Sequence, residues 1–247
     1  MPAAEPSTNV NLSGDSSRDV ARRVLAVYAH PDDPEVSCAG TLARWADEGA
    51  EVHLVICTRG DKGRTAAGVD PADLVARRAD EAEAAAQVLG LAGHENLGYP
   101  DGEIDNTLEL RAALVARIRT WKPDVVVSCD PTAVFFGNRY VNHHDHRGVG
   151  FAVLDACAPA AASPLYFPDA GPAHQVGTVY LSGTLEPDTW EDITGTVDRK
   201  VEALRCHRSQ VGDDLELVGE VVRRRAASAG ADAGLAHAES FRVLRFR

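Results

Sequence analysis

Two short stretches of this sequence hold the residue types that bind metals and move protons. The first, Ala29-His30-Pro31-Asp32-Asp33-Pro34-Glu35, places an imidazole and three carboxylates within six positions. Carboxylates this close repel one another, and a bound cation is the simplest way to keep them charged at neutral pH. A hydrolytic zinc takes three nitrogen or oxygen ligands and leaves one position open, commonly with two ligands near in sequence and one distant. His30 and Asp33 are candidates for the near pair. Asp32 would then face the attacking water as an unligated carboxylate able to act as general base. The same residues also suit a plain helix N-terminus, with Asp33 as cap, Pro34 at the first helical position and Glu35 favoured by the dipole.

The second stretch, Asn142-His143-His144-Asp145-His146, gathers three of the nine histidines into four residues. His143 and His146 are spaced i, i+3 and share a face on a helical first turn, while Asp145 could orient a neighbouring imidazole by accepting its other N–H. One histidine suffices as third ligand. The other is left to stabilise a developing oxyanion or to protonate a leaving amine. H-x-x-H alone is a weak signal; two such clusters, each following its own strand, favour a metal.

The elements that must position these residues alternate along the chain. An apolar, partly β-branched run at 24–29 reads as a buried strand that ends where the first cluster begins. A helix is expected over 35–49, closed by Gly49, and a second strand over 51–58. Further helices are expected at 71–89 and 107–121, with a short strand near 95–98 and a buried one at 124–129. Beyond the second cluster come a helix at 147–157, a strand at 175–182, helices at 195–207 and 215–229, and a closing strand at 240–246. The Ala/Gly-rich 226–238 stretch reads as loop or frayed helix. Alternating strands and helices argue for a single α/β domain with a Rossmann-like, mostly parallel sheet and helices on both faces. Ligands sit at the carboxyl ends of strands in such sheets. No G-x-G-x-x-G follows the first strand, which argues against a dinucleotide-binding oxidoreductase.

Composition narrows the function further. The chain has 37 acidic against 25 basic residues, a formal charge of -12, the wrong sign for tracking nucleic-acid phosphates or anionic lipid. No apolar run approaches the length of a membrane span. Residues 1–21 lack a secretory pattern and read as a disordered tail ahead of a domain over 22–247. Five scattered cysteines without a C-x-x-C suggest neither a disulfide framework nor a thiolate metal site, and fit a reducing cytoplasm. There is no heptad repeat, so a homo-oligomer is left open.

The motif Ala29 to Glu35 and the later His143 to His146 resemble the signatures of the LmbE-like, or PIG-L, family of zinc-dependent N-deacetylases. Weaker family features stand in order: Thr58-Arg59-Gly60-Asp61, the segment 77–91, Leu97-Gly98-Tyr99-Pro100-Asp101-Gly102 and the segment 203–210. The resemblance spans about residues 22 to 246. It implies that His30, Asp33 and His146 bind zinc, that Asp32 is the general base, that His143 acts as electrophile or acid, and that Asp145 orients His143. Iron(II), cobalt or manganese would also suit such ligands. Arg59, Asp61 and Asp101 are candidates for substrate contacts, whereas Glu35 and Glu81 read as structural. His144 departs from the family pattern, where many members have proline. The implied reaction is hydrolysis of a carboxamide, foremost N-deacetylation of an N-acetylglucosamine-type sugar or glycoconjugate. The rival readings are a thiol-conjugate (mycothiol-type) amidase, a natural-product glycoside deacetylase and, outside enzymes, a non-catalytic sugar- or metal-binding module.

Overall fold

The computed structural model describes residues 22–64 and 68–246; the tail expected over 1–21 lies outside the described residues. Strand β1 (Arg23–Tyr28) leads through α1 (Asp33–Ser37) and α2 (Ala39–Asp47) to β2 (Glu51–Thr58). The single helix expected over 35–49 is thus two, because Cys38 leaves helical geometry at φ -139° and ψ 10°. Next come α3 (Pro71–Leu89), β3 (Gly93–Tyr99), α4 (Leu108–Trp121) and β4 (Val125–Cys129). The boundaries of α3 follow from local chemistry. Asp70 accepts the Ala72 N–H at 2.8 Å, Pro71 opens the helix, and Gly90 closes it at φ +72°, where only glycine is unstrained.

A small antiparallel hairpin, β5 (Phe135–Phe136) and β6 (Tyr140–Val141), precedes α5 (His144–Asp155). The chain then runs through β7 (Thr178–Ser182), β8 (Thr189–Asp192), α6 (Val197–Cys206), α7 (Arg208–Val211), α8 (Leu215–Ala231) and β9 (Ala238–Arg245). The seven-stranded sheet has the order β3-β2-β1-β4-β7-β9-β8. The first five strands in that order are parallel to one another, and β9 runs antiparallel to both β7 and β8. The mostly parallel α/β expectation holds, with an antiparallel edge added.

Alternation along the strands divides the core. Leu25, Val27, Val55, Val126 and Val179 face α4 and α5, and Val24, Ala26, Val52, Leu54 and Ile56 face Leu42 and Trp45 of α2. Strand order reverses between β1 and β4: from β1 the chain adds strands in one direction, then returns to β1's other side. A crevice opens at the carboxyl ends of strands at such a reversal. The two chemical clusters follow those two strands. No helix among the described residues is long and apolar enough to cross a membrane.

Candidate metal centre and active site

Residues 29–33 leave β1 in a tight turn. The Thr58 N–H donates to the Ala29 carbonyl at 2.8 Å and the Asp33 N–H to the His30 carbonyl at 3.2 Å, while Asp33 Oδ2 accepts the His30 N–H at 2.7 Å. From the other strand, the 130–143 loop delivers the start of α5. The helix packs closely on the segment between β3 and α4: a Cβ on Gly148 would stand 2.4 Å from the Ile104 carbonyl oxygen, so only glycine fits there.

Three donors converge as a result. His30 Nδ1 lies 3.2 Å from His146 Nε2 and 3.3 Å from Asp33 Oδ2, and His146 Nε2 lies 3.1 Å from Asp33 Oδ1. A tetrahedral ion with N/O bonds of ~2.0–2.1 Å needs its donors about 3.3 Å apart. These side chains therefore already stand at the spacing a zinc-sized ion requires, and His30, Asp33 and His146 form a group that could hold a metal.

The far side of each imidazole is occupied by an acceptor. His30 Nε2 meets Asp101 Oδ1 at 3.1 Å and Asp145 Oδ2 at 3.2 Å, and His146 Nδ1 meets Asn142 Oδ1 at 2.9 Å. Such partners fix the ring and leave the opposite nitrogen free to ligate. Asp145 is itself held by the N–H groups of Gly102 (2.7 Å) and Ile104 (3.2 Å). Burial opposes charge on His30, but the Asp33 charge and the bonds to Asp101 and Asp145 outweigh it and push the imidazole up to about 12. Asp33 resists burial in the same way: His146 and His30 hold its carboxyl well below the usual range. The cluster demands positive charge.

His143 behaves differently. Burial, then repulsion from His30, pulls it below the ordinary histidine value. Its Nδ1 accepts the Asp145 N–H at 3.2 Å, which leaves the proton on Nε2. This corrects one expectation: the Asp145 carboxylate turns to His30, and it is the Asp145 backbone that orients His143. The reason is the first helical turn, where the residue 143 side chain caps the free 145 amide. His144 points away from the site, 3.2 Å from Asp105.

Asp32 sits beside the donor triangle without joining it. Its Oδ1 accepts from Arg78 Nη2 at 2.8 Å, and Arg78 also donates through Nη1 to the Gly60 carbonyl at 3.0 Å. Arg78 is 2% exposed. It lies in the 77–91 segment that resembles the family, but on a mixed-charge helix its pairing with Asp32 had no local signal. Gly60 makes room for it: at φ +66°, a Cβ there would come within 2.4 Å of the guanidinium.

The three candidates for substrate contacts separate. Asp101 faces His30, and Asp61 accepts the Asp101 N–H at 2.9 Å, so both order the loops around the donors. Arg59 is the exposed one, 3.3 Å from Asp61. Glu81 accepts the Ser209 N–H and hydroxyl at 2.8 and 2.6 Å, tying α7 to α3. Glu35 is buried 3.3 Å from His207, which lies in the 203–210 segment that resembles the family.

Paired imidazoles and a carboxylate stand at the switch point of a parallel sheet as a group that could hold a metal, with a second carboxylate and a further imidazole beside them. Comparison with known proteins gives the class. The family model for "PIG-L: GlcNAc-PI de-N-acetylase" matches residues 25–157. The diacetylchitobiose deacetylase of Thermococcus kodakarensis is 31% identical over 90% of this chain and 83% of its own length. The 1D-myo-inositol 2-acetamido-2-deoxy-alpha-D-glucopyranoside deacetylase of Rhodococcus jostii is 32% identical, covering 77% of this chain and 82% of that protein. Among solved structures, N,N'-diacetylchitobiose deacetylase from Pyrococcus horikoshii superposes with a TM-score of 0.83 at 31% identity, over 91% of this chain and 84% of that one. The chain belongs to the PIG-L, or LmbE-like, family, and it is a hydrolase of the deacetylase/amidase type.

Proposed function

We propose that this chain removes acetyl groups from N-acetylglucosamine-type sugars or glycoconjugates, with zinc held by His30, Asp33 and His146. The observation that carries the reading is the donor triangle at zinc-compatible spacing with Asp32 left out of it. Two imidazoles and one carboxylate suit zinc, and would also accept iron(II), cobalt or manganese. The ion, when bound, supplies Lewis acidity, making water nucleophilic near neutral pH and polarising a carbonyl oxygen.

The chain's own residues divide the proton work. Asp32, steered by the Arg78 guanidinium, takes the proton from the attacking water. His143, with its proton on Nε2, donates a hydrogen bond to the oxygen of the acyl group as charge develops there. Asp32 then returns its proton to the sugar nitrogen as the C–N bond breaks. Amide plus water becomes acetic acid plus amine. Arg59, exposed just past the end of β2, would meet sugar hydroxyls.

Both named relatives act on acetamido sugars, which favours deacetylation over a thiol-conjugate amidase or a purely binding module. Five free cysteines, four of them buried, support a reducing, cytoplasmic setting. The test is acetate release from N-acetylglucosamine and diacetylchitobiose by zinc-loaded protein and by Asp32→Asn. Release that collapses in the variant supports the reading. No release with zinc, cobalt or iron(II) refutes it.

A further inference from the structure

The break between α1 and α2 is built by residues far along the chain. In an unbroken helix the Gly40 N–H would donate to the Val36 carbonyl, four residues back. Here the two groups are parted and each has a charged partner. Glu239 on β9 accepts the Gly40 N–H at 3.0 Å and the Thr41 N–H at 2.8 Å, and Lys200 on α6 donates to the Val36 carbonyl at 3.0 Å. Lys200 and Glu239 then meet at 2.5 Å, each 5% exposed. The ion pair stands where one helical hydrogen bond would be, and a continuous helix over 33–47 is excluded while it is in place.

A buried ion pair is weak evidence for stability, because desolvation offsets the attraction and an apolar pair of similar volume often does as well. What this one fixes is direction. Helix α1 is five residues long, too short to hold a conformation by itself, and it carries Asp33 at its first position with Asp32 as the cap before it. Its orientation is set from outside, by Lys200 at its carboxyl end and by His207, 3.3 Å from Glu35, on its flank. Accepting the deacetylase reading above, we infer that Lys200 and Glu239 are positioning residues for the reaction. They hold α1 apart from α2, so that Asp33 faces His30 and His146 and Asp32 stands beside them. Both act through α1.

The experiment compares wild type with Lys200→Met/Glu239→Leu, both as zinc-loaded full chains. In the variant the charges are gone, and the Gly40 N–H and Val36 carbonyl are free to bond each other. Its stability in denaturant should stay close to that of wild type. With diacetylchitobiose at saturating zinc, kcat should fall about 10²-fold while KM stays within about two-fold, because a small shift of the acting carboxylate costs that much and Arg59 is not on α1. The zinc dissociation constant should rise about ten-fold, since Asp33 moves with α1. Glu239→Gln, whose amide oxygen still accepts the Gly40 N–H, should restore most of kcat. A stable apolar pair with wild-type kcat and zinc affinity overturns the inference, as does a rise in KM with kcat unchanged. If wild type releases no acetate, the deacetylase reading fails by itself, and the zinc dissociation constants still decide the positioning role. If the apolar pair does not fold, Lys200→Met is read in its place, with the same split between kcat and KM expected.

Discussion

Two of the places where this molecule buries charge do opposite things with it. Arg119, 2% exposed on α4, donates to the carbonyls of Ala160, Ala161, Ser163, Tyr166, Phe167 and Gly171. Every partner is backbone from one connecting segment, and its donors are spent inside the protein. At the carboxyl ends of β1 and β4 the ionisable groups instead leave His30 Nδ1, His146 Nε2 and the Asp33 oxygens pointing at one another. A buried charge whose bonds close on the chain holds a fold together. Buried groups whose lone pairs converge await a ligand.

The contrast is broken most severely at the donors. His146→Ala or Asp33→Ala should lose bound metal altogether, by elemental analysis, and activity with it. Asp32→Asn comes next: turnover should drop by about 10²- to 10⁴-fold, with metal content unchanged, because only the proton acceptor is removed. Metal lost in Asp32→Asn would show that this carboxylate is a ligand. Arg119→Met should destabilise the fold by about 3 kcal/mol or more in denaturant unfolding, since it strands several buried carbonyls, yet leave KM intact. A kinetic defect there would tie the segment to the site.

Smaller effects sharpen the account. Asp145→Asn keeps the shape but weakens the acceptor behind His30, and metal affinity should fall about 10- to 100-fold. His207 offers a pH test. Burial lowers its affinity for a proton, but Glu35, with help from Asp32 and Glu81, raises it above the ordinary 6.5. A raised folded value means the pair's stabilisation is fully present below about pH 6.5 and is lost as pH climbs through the folded value. The stability gap between wild type and Glu35→Gln should therefore narrow with rising pH. A constant gap would mean that His207 carries no proton to lose.

How much of this was legible beforehand depends on whether the information is local. His30 and Asp33 are three residues apart on a turn that proline and the strand end dictate, so their convergence could be read directly. The same holds for α3, bounded by Asp70-Pro71 and Gly90. The break at Cys38 carries no glycine or proline to announce it. Strand β8 is four residues long and gains its identity only by pairing with β9. Arg78, Asp101 and His207 owe their roles to partners 46, 71 and 172 positions away, which no local pattern encodes. Asp145 was found, but with the wrong partner, because helical spacing places it near His143 while the fold brings His30 to its carboxylate.

The central claim is that His30, Asp33 and His146 hold one catalytic metal, with Asp32 outside the ligand set and paired to Arg78. The most direct measurement is metal stoichiometry on protein purified without added metal, taken for wild type and Asp32→Asn together with acetate release from diacetylchitobiose. The account predicts about one metal per chain in both proteins, and release that chelator abolishes in wild type and that is nearly absent in the variant. Undiminished release from chelator-treated, metal-free protein would contradict it.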